Sequence, residues 1–367
     1  MDLHTNCRIL ALPDSCNSQI FASYAPSRDP LGNQVSHYLW NTDQFCIEAI
    51  AHGAYHNSYE YIKLSQLSEF AGIAIVPLYY SLAIHINTGN PHEQYSYISI
   101  LANSYPHIQF VLVFGAIGRS LIHMGVKIPS NITILSLESE YDSHAHSSIP
   151  YPSSYHSLEN IPLRRPSERS HRLCMVGNFR PGLRGGIMHQ LTNQFVDENN
   201  VVVGIDTEHY PWLPSVKSLE TADAVRLNSR YSLEPPGDSP SRKGIFDAIA
   251  AGCVPVLFSP HSYRLPFSSE IDWSSFSLDV YMHGVEFVSP IDGQHYSKIS
   301  DLLDAIPLDI IEQKYENLLN VRSKFSYKDH AWAMIERCYL DRILSKAAES
   351  QTRRLEAAAT RAEIHAG

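Results

Sequence analysis

Two adjacent cations, Arg242 and Lys243, follow a short segment rich in serine, proline and glycine. A guanidinium offers a planar fork of N–H donors that matches phosphate oxygens, and an ammonium adds a point charge. Serine hydroxyls and the N–H groups at a helix N-terminus also bind phosphate oxygens. We therefore predict a diphosphate-sized anion site here. Its predicted ligands are Ser239, Ser241, Arg242 and Lys243, with Gly237 and Asp238 in the same turn. A solvated helix face is the alternative for the two cations.

A strand must precede this segment, and a helix and a second strand must follow it. Tyr231–Glu234 reads as the end of a strand, and a Pro-Pro-Gly break comes next. Ser239 suits the N-cap of the helix, which places Arg242 in the first helical turn. Gly252 ends the helix, and the apolar run Val254–Phe258 is typical of a buried parallel strand. An ordinary βαβ unit would explain the prolines and glycines, but not the serines and cations together with them.

The composition is that of a globular protein with two domains. At 367 residues the chain is about twice a typical domain, and 44% of its residues are hydrophobic. The 28 Lys and Arg against 38 Asp and Glu give a net charge of −10, which disfavours nucleic acid or an acidic membrane as partner. Six scattered cysteines without a CxxC pair argue against a disulfide framework and a structural zinc site. Because no apolar run reaches about eighteen residues, we expect no membrane span.

Alternating strands and helices indicate two parallel α/β domains. Four strands are predicted in the first domain, Arg8–Leu12, Ile73–Leu78, Gln109–Phe114 and Ile132–Leu137, with a helical stretch at Gln44–Tyr61. Residues 142–170 are rich in Ser, Pro and His and are predicted to connect the domains. Besides the βαβ unit, the second domain has predicted strands at Leu173–Val176 and Val201–Val203 and a helix near Leu302–Leu319, and the tail after Trp332 has helical character. The predicted domains are residues 1–165 and 166–335, with residues 336–367 as a C-terminal helix or tail.

The βαβ unit contains a long sequence motif. Its first strand ends in L-E-P-P-G-D-S, followed by S-R-K and F-D-A-I-A-A-G-C-V-P-V. This closely resembles the donor-binding signature of the exostosin-type glycosyltransferases (glycosyltransferase family 47). The Arg-Lys pair is most similar to the plant galactosyltransferase branch, although Glu234 replaces the usual Gln. Other segments similar to the family are Ile75–Leu82, Ser148–Pro152 and Leu265–Phe267. Ser232 and Ser268 depart from the family pattern.

This resemblance implies the GT-B architecture, in which two Rossmann-like α/β domains with parallel sheets face each other across a cleft. It implies an inverting enzyme that transfers a sugar from a UDP-sugar, bound by the C-terminal domain, to a glycan or glycoprotein acceptor on the N-terminal domain. The expected sugar is xylose or galactose, in β-linkage. No cofactor besides the donor and no metal are expected, because cations and a helix dipole take the place of a metal ion. The chain is expected to be cytoplasmic or soluble, or lumenal in the Golgi if an N-terminal anchor has been removed.

Three further residues receive binding roles by analogy with this architecture. Arg180 follows the strand Leu173–Val176 in a loop that would reach the phosphates or the sugar, and a surface ion pair is the alternative. Asp247 would accept hydrogen bonds from the ribose hydroxyls, or else pair with a basic neighbour. Glu234, at the end of its strand, would contact the donor sugar or orient Arg242.

An inverting transfer also needs a base that deprotonates the acceptor hydroxyl. Glu138 directly follows the strand Ile132–Leu137 and resembles a recurring Glu in one branch of the family, so it is the predicted base. The other candidates at strand ends or turns are His52, His56, His85, Asp206 and His209. His52 and His56 are four residues apart, but without a third ligand at suitable spacing they do not predict a metal site.

Two other functions stay open at this point. One is a non-catalytic partner subunit that binds UDP or a glycan within a transferase complex, although the presence of Arg242 and Lys243 argues against it. The other is a different nucleotide-using α/β enzyme, which would need a phosphate loop in the first domain. No P-loop and no G-x-G-x-x-G sequence follows the first strand.

Overall fold

The computed structural model describes residues 3–13, 47–85, 90–115, 127–137, 146–153, 155, 158–177, 179–191, 200–203, 219–236, 241–258, 265–346 and 349. These residues fall into two compact units. The first lies within Met1–Ser136, Asp142–Ile149 and Trp332–Gly367, and the second within Leu137–Tyr141 and Pro150–Ala331. The C-terminal segment therefore belongs to the first unit.

The first unit is built on a parallel sheet. Its strands are β1 (Cys7–Ala11), β2 (Tyr61–Lys63), β3 (Ile73–Val76), β4 (Gln109–Phe114), β5 (Ile132–Ser136) and β6 (His146–Ser148), in the order β2-β1-β3-β4-β5-β6. Its helices are α1 (Leu3–Asn6), α2 (Ile47–Tyr55), α3 (Tyr80–His85) and α4 (Pro91–Ser104), with a 3₁₀ helix at Leu64–Glu69. All residues of the apolar strand β3 are buried, as expected of a parallel strand covered on both faces.

The second unit is built on a mixed sheet. Its strands are β7 (His171–Val176), β8 (Asn200–Val203), β9 (Ser229–Glu234), β10 (Val254–Phe258), β11 (Leu278–His283), β12 (Glu286–Val288) and β13 (His295–Tyr296), in the order β13-β12-β11-β10-β9-β7-β8. Its helices are α5 (Leu183–His189), α6 (Leu219–Asn228), α7 (Lys243–Ala250), α8 (Ile299–Asp304) and α9 (Leu308–Val321), with 3₁₀ helices at Pro166–Glu168, Trp273–Ser275 and Arg322–Phe325. Strands β7 to β11 are parallel, and β12 and β13 extend the sheet with antiparallel pairing. Leu173, Leu233 and Val256, from three neighbouring strands, lie in its buried core.

Both sheets follow the same doubly wound order. In each unit the second strand lies on one side of the first strand, and the third strand lies on the other side. This is the strand order of flavodoxin-like α/β folds. It confirms the predicted α/β class, with two Rossmann-like units whose sheets are parallel apart from β12 and β13, as in the GT-B architecture.

The helical tail predicted after Trp332 is present as α10 (Ala331–Ile335) and a π-helical turn at Glu336–Leu340. The ring of Trp332 lies 4.7 Å from the ring of Tyr55 in α2, so this segment packs within the first unit. In the parts of the chain that the structure describes, no helix has both the length and the apolar character that a membrane crossing requires.

Three differences between the observed and the predicted elements have a clear physical reason. The helix predicted near Leu302–Leu319 is two helices, because Pro307 lacks an N–H donor and precedes α9 as its N-cap. The stretch 142–170, predicted as a connection, also contributes β6, a short polar edge strand without an apolar pattern to reveal it. The antiparallel strands β12 and β13 were not predicted, since each has three residues or fewer.

Candidate functional site

The carboxyl ends of β7 and β9 mark the point where the second sheet reverses its strand order. Strand β8 lies on one side of β7 and β9 lies on the other, so the connections leaving these two ends diverge. In open parallel sheets, ligands bind in the crevice at such a point. Val176 ends β7 and Glu234 ends β9, so the loops that follow these two residues border the candidate site.

Arg242 joins these two strand ends. Its Nη2 donates a hydrogen bond to the Val176 carbonyl at 2.9 Å, and its Nη1 donates to the Pro235 carbonyl at 3.1 Å. Its Nε lies 3.2 Å from Oε2 of Glu234. A Cβ at Gly177 would lie 2.8 Å from Nη2, so the residue after β7 must be small. The side chain is only 13% exposed and acts as a brace between the two loops.

Glu234 is a buried carboxylate that depends on this brace. Its side chain has no exposed surface, and Oε1 accepts a hydrogen bond from the Ser232 hydroxyl at 2.7 Å. Burying a carboxylate is costly unless it is paired, and Arg242 supplies the opposite charge. A Cβ at Gly244 would lie 2.4 Å from Oε2 of Glu234. Glycine at this position therefore lets the first turn of α7 approach the carboxylate.

Asp247 lies at the centre of a second buried charge cluster. It is 2% exposed and contacts Lys243 Nζ at 2.5 Å. Arg226 Nη1 lies 3.4 Å from it, and the Ser153 hydroxyl donates a hydrogen bond to Oδ1 at 3.0 Å. Asp247 therefore pairs with a basic neighbour on its own helix, one of the two arrangements considered from sequence. Its role toward a ribose stays a prediction.

Burial and charge act in opposite directions on the cations of this cluster. Burial lowers the pKa of Lys243 below its ordinary value, and the neighbouring Asp247 offsets only part of this effect. Arg226 is 3% exposed. Burial opposes its charge too, but Asp247 and Glu234 hold its pKa above the ordinary value. Asp247 thus favours the charged form of both cations, and Glu234 adds to this effect at Arg226.

Helix α7 begins later than predicted. Lys243 is its first residue, and Arg242 precedes it in an extended conformation with φ −150° and ψ 153°. Placing Ser239 as N-cap and Arg242 in the first turn was therefore wrong. The physical reason is the brace, because the guanidinium holds Arg242 against the two strand ends and the helix starts only after it. Ser241 is buried beside this start, whereas Gly237, Asp238 and Ser239 lie outside the described residues.

The loop after β7 brings two further arginines to the same edge of the sheet. Arg180 is exposed, and its role toward the phosphates or the sugar stays a prediction. Arg184, in the first turn of α5, is buried and donates a hydrogen bond to the Pro236 carbonyl at 3.2 Å. A Cβ at Gly185 would lie 2.6 Å from the Arg180 carbonyl, so glycine allows this loop to fold onto its helix.

Sequence reasoning missed Arg184, Arg226 and Ser153. The run R-P-G-L-R-G-G contains a signal for Arg184, since cations beside glycines after a strand are typical of anion loops. No local signal marks Arg226 or Ser153, because their partner Asp247 is distant in the chain.

The first unit has its own reversal of strand order, between β1 and β3. Among the bases predicted for this unit, His52 has two described side-chain partners. His52 Nδ1 is 2.5 Å from the hydroxyl of Tyr79, which follows β3. Its Nε2 is 3.1 Å from the hydroxyl of Tyr61. Burial lowers the pKa of His52, and the neighbouring His56 lowers it further. The imidazole is therefore neutral near pH 7 and is held by two tyrosines.

The other predicted bases are placed less fully. His56 is exposed, with Nδ1 3.0 Å from the Gly53 carbonyl oxygen. His85 lies in α3, but its side chain lies outside the described part of the structure. Glu138, Asp206 and His209 also lie outside the described residues. The assignment of Glu138 as base stays a prediction.

The chain is similar to plant enzymes that act on xyloglucan. The probable xyloglucan galactosyltransferase GT19 of Arabidopsis thaliana is 28% identical over 224 residues, which are 56% of this chain and 48% of that protein. Xyloglucan galactosyltransferase MUR3 of the same plant is 26% identical over 212 residues, 54% of this chain and 32% of that protein. Xyloglucan-specific galacturonosyltransferase 1, also from Arabidopsis thaliana, is 30% identical over 175 residues, 45% of this chain and 25% of that protein. The chain thus spans less than half the length of these relatives.

Solved structures give distant likenesses. A glycosyltransferase from Rickettsia africae has a TM-score of 0.39 at 10% identity, covering 81% of this chain and 94% of that chain. TarM of S. aureus, in complex with UDP, has a TM-score of 0.38 at 12% identity, covering 72% of this chain and 54% of that chain. The sequence profile of the exostosin GT47 domain matches residues 3–291, which is most of the chain. This protein belongs to the exostosin GT47 family of glycosyltransferases.

Proposed function

We propose that this protein is an inverting glycosyltransferase that transfers galactose from UDP-galactose to a glycan hydroxyl without a metal ion. The family membership supports sugar transfer. Several relatives are named as xyloglucan galactosyltransferases, and this favours galactose over xylose, the other sugar expected from the sequence. A xyloglucan oligosaccharide is therefore the first acceptor to test.

The observation that carries this proposal is the Arg242 brace at the carboxyl ends of β7 and β9. The brace holds the two loops together and places the start of α7 at the point where ligands bind in such sheets. The N–H groups and the dipole of that first turn attract an anion such as a diphosphate. Lys243 begins the helix, and Arg180 lies exposed in the neighbouring loop. In the proposed mechanism, these charges stabilise the departing UDP in place of a metal ion.

Arg242 has a positioning role in this scheme. Three protein groups already receive its hydrogen bonds and ion pair, and little of its side chain is exposed. It therefore acts on the diphosphate mainly by fixing the loop between β9 and α7. A lysine at position 242 could neutralise Glu234. It lacks the planar fork of N–H donors, so it could not bind two carbonyls and a carboxylate at once.

We propose Glu138 as the base that takes the proton of the acceptor hydroxyl. It follows the end of β5 by two residues, which is the chain position of a carboxyl-end loop in a parallel sheet. His52 is the competing candidate, because its lowered pKa keeps the imidazole neutral and able to accept a proton. Both of its ring nitrogens, however, already lie within hydrogen-bond distance of tyrosine hydroxyls.

The test is a transfer assay with a panel of donors and a xyloglucan oligosaccharide acceptor. UDP-galactose should give a product one galactosyl unit heavier, while UDP-xylose, UDP-galacturonic acid and a GDP-sugar should give less. Glu138→Gln should abolish transfer and preserve UDP binding, whereas His52→Gln should retain turnover. Binding of UDP without transfer from any donor would favour the non-catalytic partner subunit. Absence of UDP binding would refute the assignment of the site itself.

A further inference from the structure

The antiparallel extension of the second sheet brings two histidines and a glutamate together. His283 ends β11, Glu286 begins β12 and His295 begins β13, so each strand contributes one of these side chains. Each residue offers a ligand atom, and these atoms all lie within 4.8 Å of one another. Within the described residues, no other group of three His, Cys, Asp or Glu meets this criterion.

The strand register places the three side chains on one face. His283 pairs directly with Glu286, and Val288 pairs directly with His295. Glu286 and Val288 are two residues apart on β12 and therefore point to the same side of the sheet. Strand pairing thus places the three side chains on one face of the sheet extension.

We propose that His283, Glu286 and His295 form a binding site for a divalent transition-metal ion of the zinc class. Zinc binds histidine nitrogen and carboxylate oxygen at about 2.0–2.2 Å, so tetrahedral ligands lie roughly 3.4 Å apart. The donor atoms lie within 4.8 Å of one another, and the three residues that carry them are exposed. Two imidazoles and one carboxylate favour Zn²⁺, Ni²⁺ or Cu²⁺ over Mg²⁺ and Ca²⁺, which prefer oxygen ligands alone.

The present contacts of the trio are compatible with metal binding. His295 Nδ1 lies 3.0 Å from Oε2 of Glu286, and their side chains are 44% and 47% exposed. Such an exposed pair by itself contributes little to stability. The ring of His283 lies 5.4 Å from the ring of His295 in an edge-to-face arrangement. A second imidazole therefore lies beside the pair. Three protein ligands leave a fourth position for water.

A bound ion would cross-link three short strands. Strands β12 and β13 have three and two residues, and strands this short contribute little stability of their own. Gly284 and Gly293 adopt positive φ values of 63° and 72° in the two turns that join the strands. Ligation by one residue from each strand would fix these turns and the register. The inferred role of the metal is therefore to hold the register of these three strands.

The test is zinc titration of the full chain after metal has been stripped by a chelator. The wild type should bind one Zn²⁺ that is absent from the triple variant His283→Gln, Glu286→Gln, His295→Gln. Each single substitution should weaken this binding by at least about tenfold, since loss of even an outer partner of a metal ligand has that effect. The matched control is His330→Gln, which removes an exposed histidine of the same unit that lies outside the trio.

A second readout separates ligation from non-specific binding. Zinc should slow amide hydrogen exchange in residues 281–288 of the wild type and leave exchange in the triple variant unchanged. Excess Mg²⁺ should not displace the zinc. Because the three side chains are exposed, all variants should melt at the wild-type temperature in the presence of EDTA. Zinc binding of wild-type strength in the triple variant, or in all three single variants, would overturn the proposal.

Discussion

Substitution of Gly244 by alanine tests the contact on which the buried carboxylate depends. The added methyl group would lie 2.4 Å from Oε2 of Glu234 and 3.0 Å from Cδ. Such a contact forces the carboxylate to move, yet Ser232 holds it at 2.7 Å and Arg242 at 3.2 Å. Gly244→Ala should therefore displace Glu234 from at least one of these partners.

The expected cost follows from three opposing effects. Overpacking a buried site costs about 1–3 kcal/mol. Loss of a hydrogen bond to a charged group adds about 1.5–3 kcal/mol. Alanine recovers about 1 kcal/mol over glycine in a helix. The free energy of unfolding measured with urea should thus fall by about 1.5–5 kcal/mol.

A matched control exists in the same unit. Gly186 lies in α5, is exposed, and a Cβ there would have no neighbour within 4 Å. Gly186→Ala should leave stability unchanged or raise it by up to about 1 kcal/mol. In a Glu234→Ala background the cost of Gly244→Ala should disappear, because the carboxylate that clashes is gone. Equal stability of Gly244→Ala and wild type, or an undiminished cost without Glu234, would refute the reasoning.

Three other perturbations follow from the same contacts. Arg242→Lys should raise the dissociation constant of UDP by about tenfold or more, because lysine cannot reproduce a planar fork. Titration calorimetry measures this constant. An unchanged affinity for UDP would exclude the brace as a determinant of the site. The pKa of His52 is lowered by burial from its ordinary value of 6.5, so the unfolded chain binds a proton there that the folded chain does not. Stability should then decline as pH falls from about 6.5 toward the lowered folded value, by at most about 1.4 kcal/mol per pH unit for this group. Urea unfolding of His52→Gln at several pH values should show a shallower decline, and an identical slope would contradict the assignment. Sugar transfer should persist in EDTA, and strict dependence on Mn²⁺ or Mg²⁺ would contradict the cationic mechanism.

The parts of the fold that sequence predicts are those encoded locally. Strands β4 and β10 have the predicted bounds, because an apolar run bounded by turn residues specifies a buried parallel strand without reference to the rest of the chain. The end of α7 was also predictable, since Gly252 adopts a φ of 65°, a conformation that favours glycine.

The parts that sequence does not predict depend on long-range pairing. The start of α7 was misplaced because Arg242 bonds to Val176, 66 residues earlier in the chain. The partners of Asp247 include Ser153, 94 residues away, which no local pattern reveals. The histidine and glutamate trio required the register of β11, β12 and β13, and two of these strands are too short to show an alternating pattern.

The most direct test of the account is the anomeric configuration of the product formed from UDP-galactose and a xyloglucan oligosaccharide. Proton NMR of the purified product reports the linkage through the coupling constant of the new anomeric proton. The account predicts one added galactosyl unit in β-linkage, inverted from the α-linked donor. An α-linked product would contradict the inverting mechanism. If the protein binds UDP but forms no product from UDP-galactose, the proposed galactosyl transfer is contradicted.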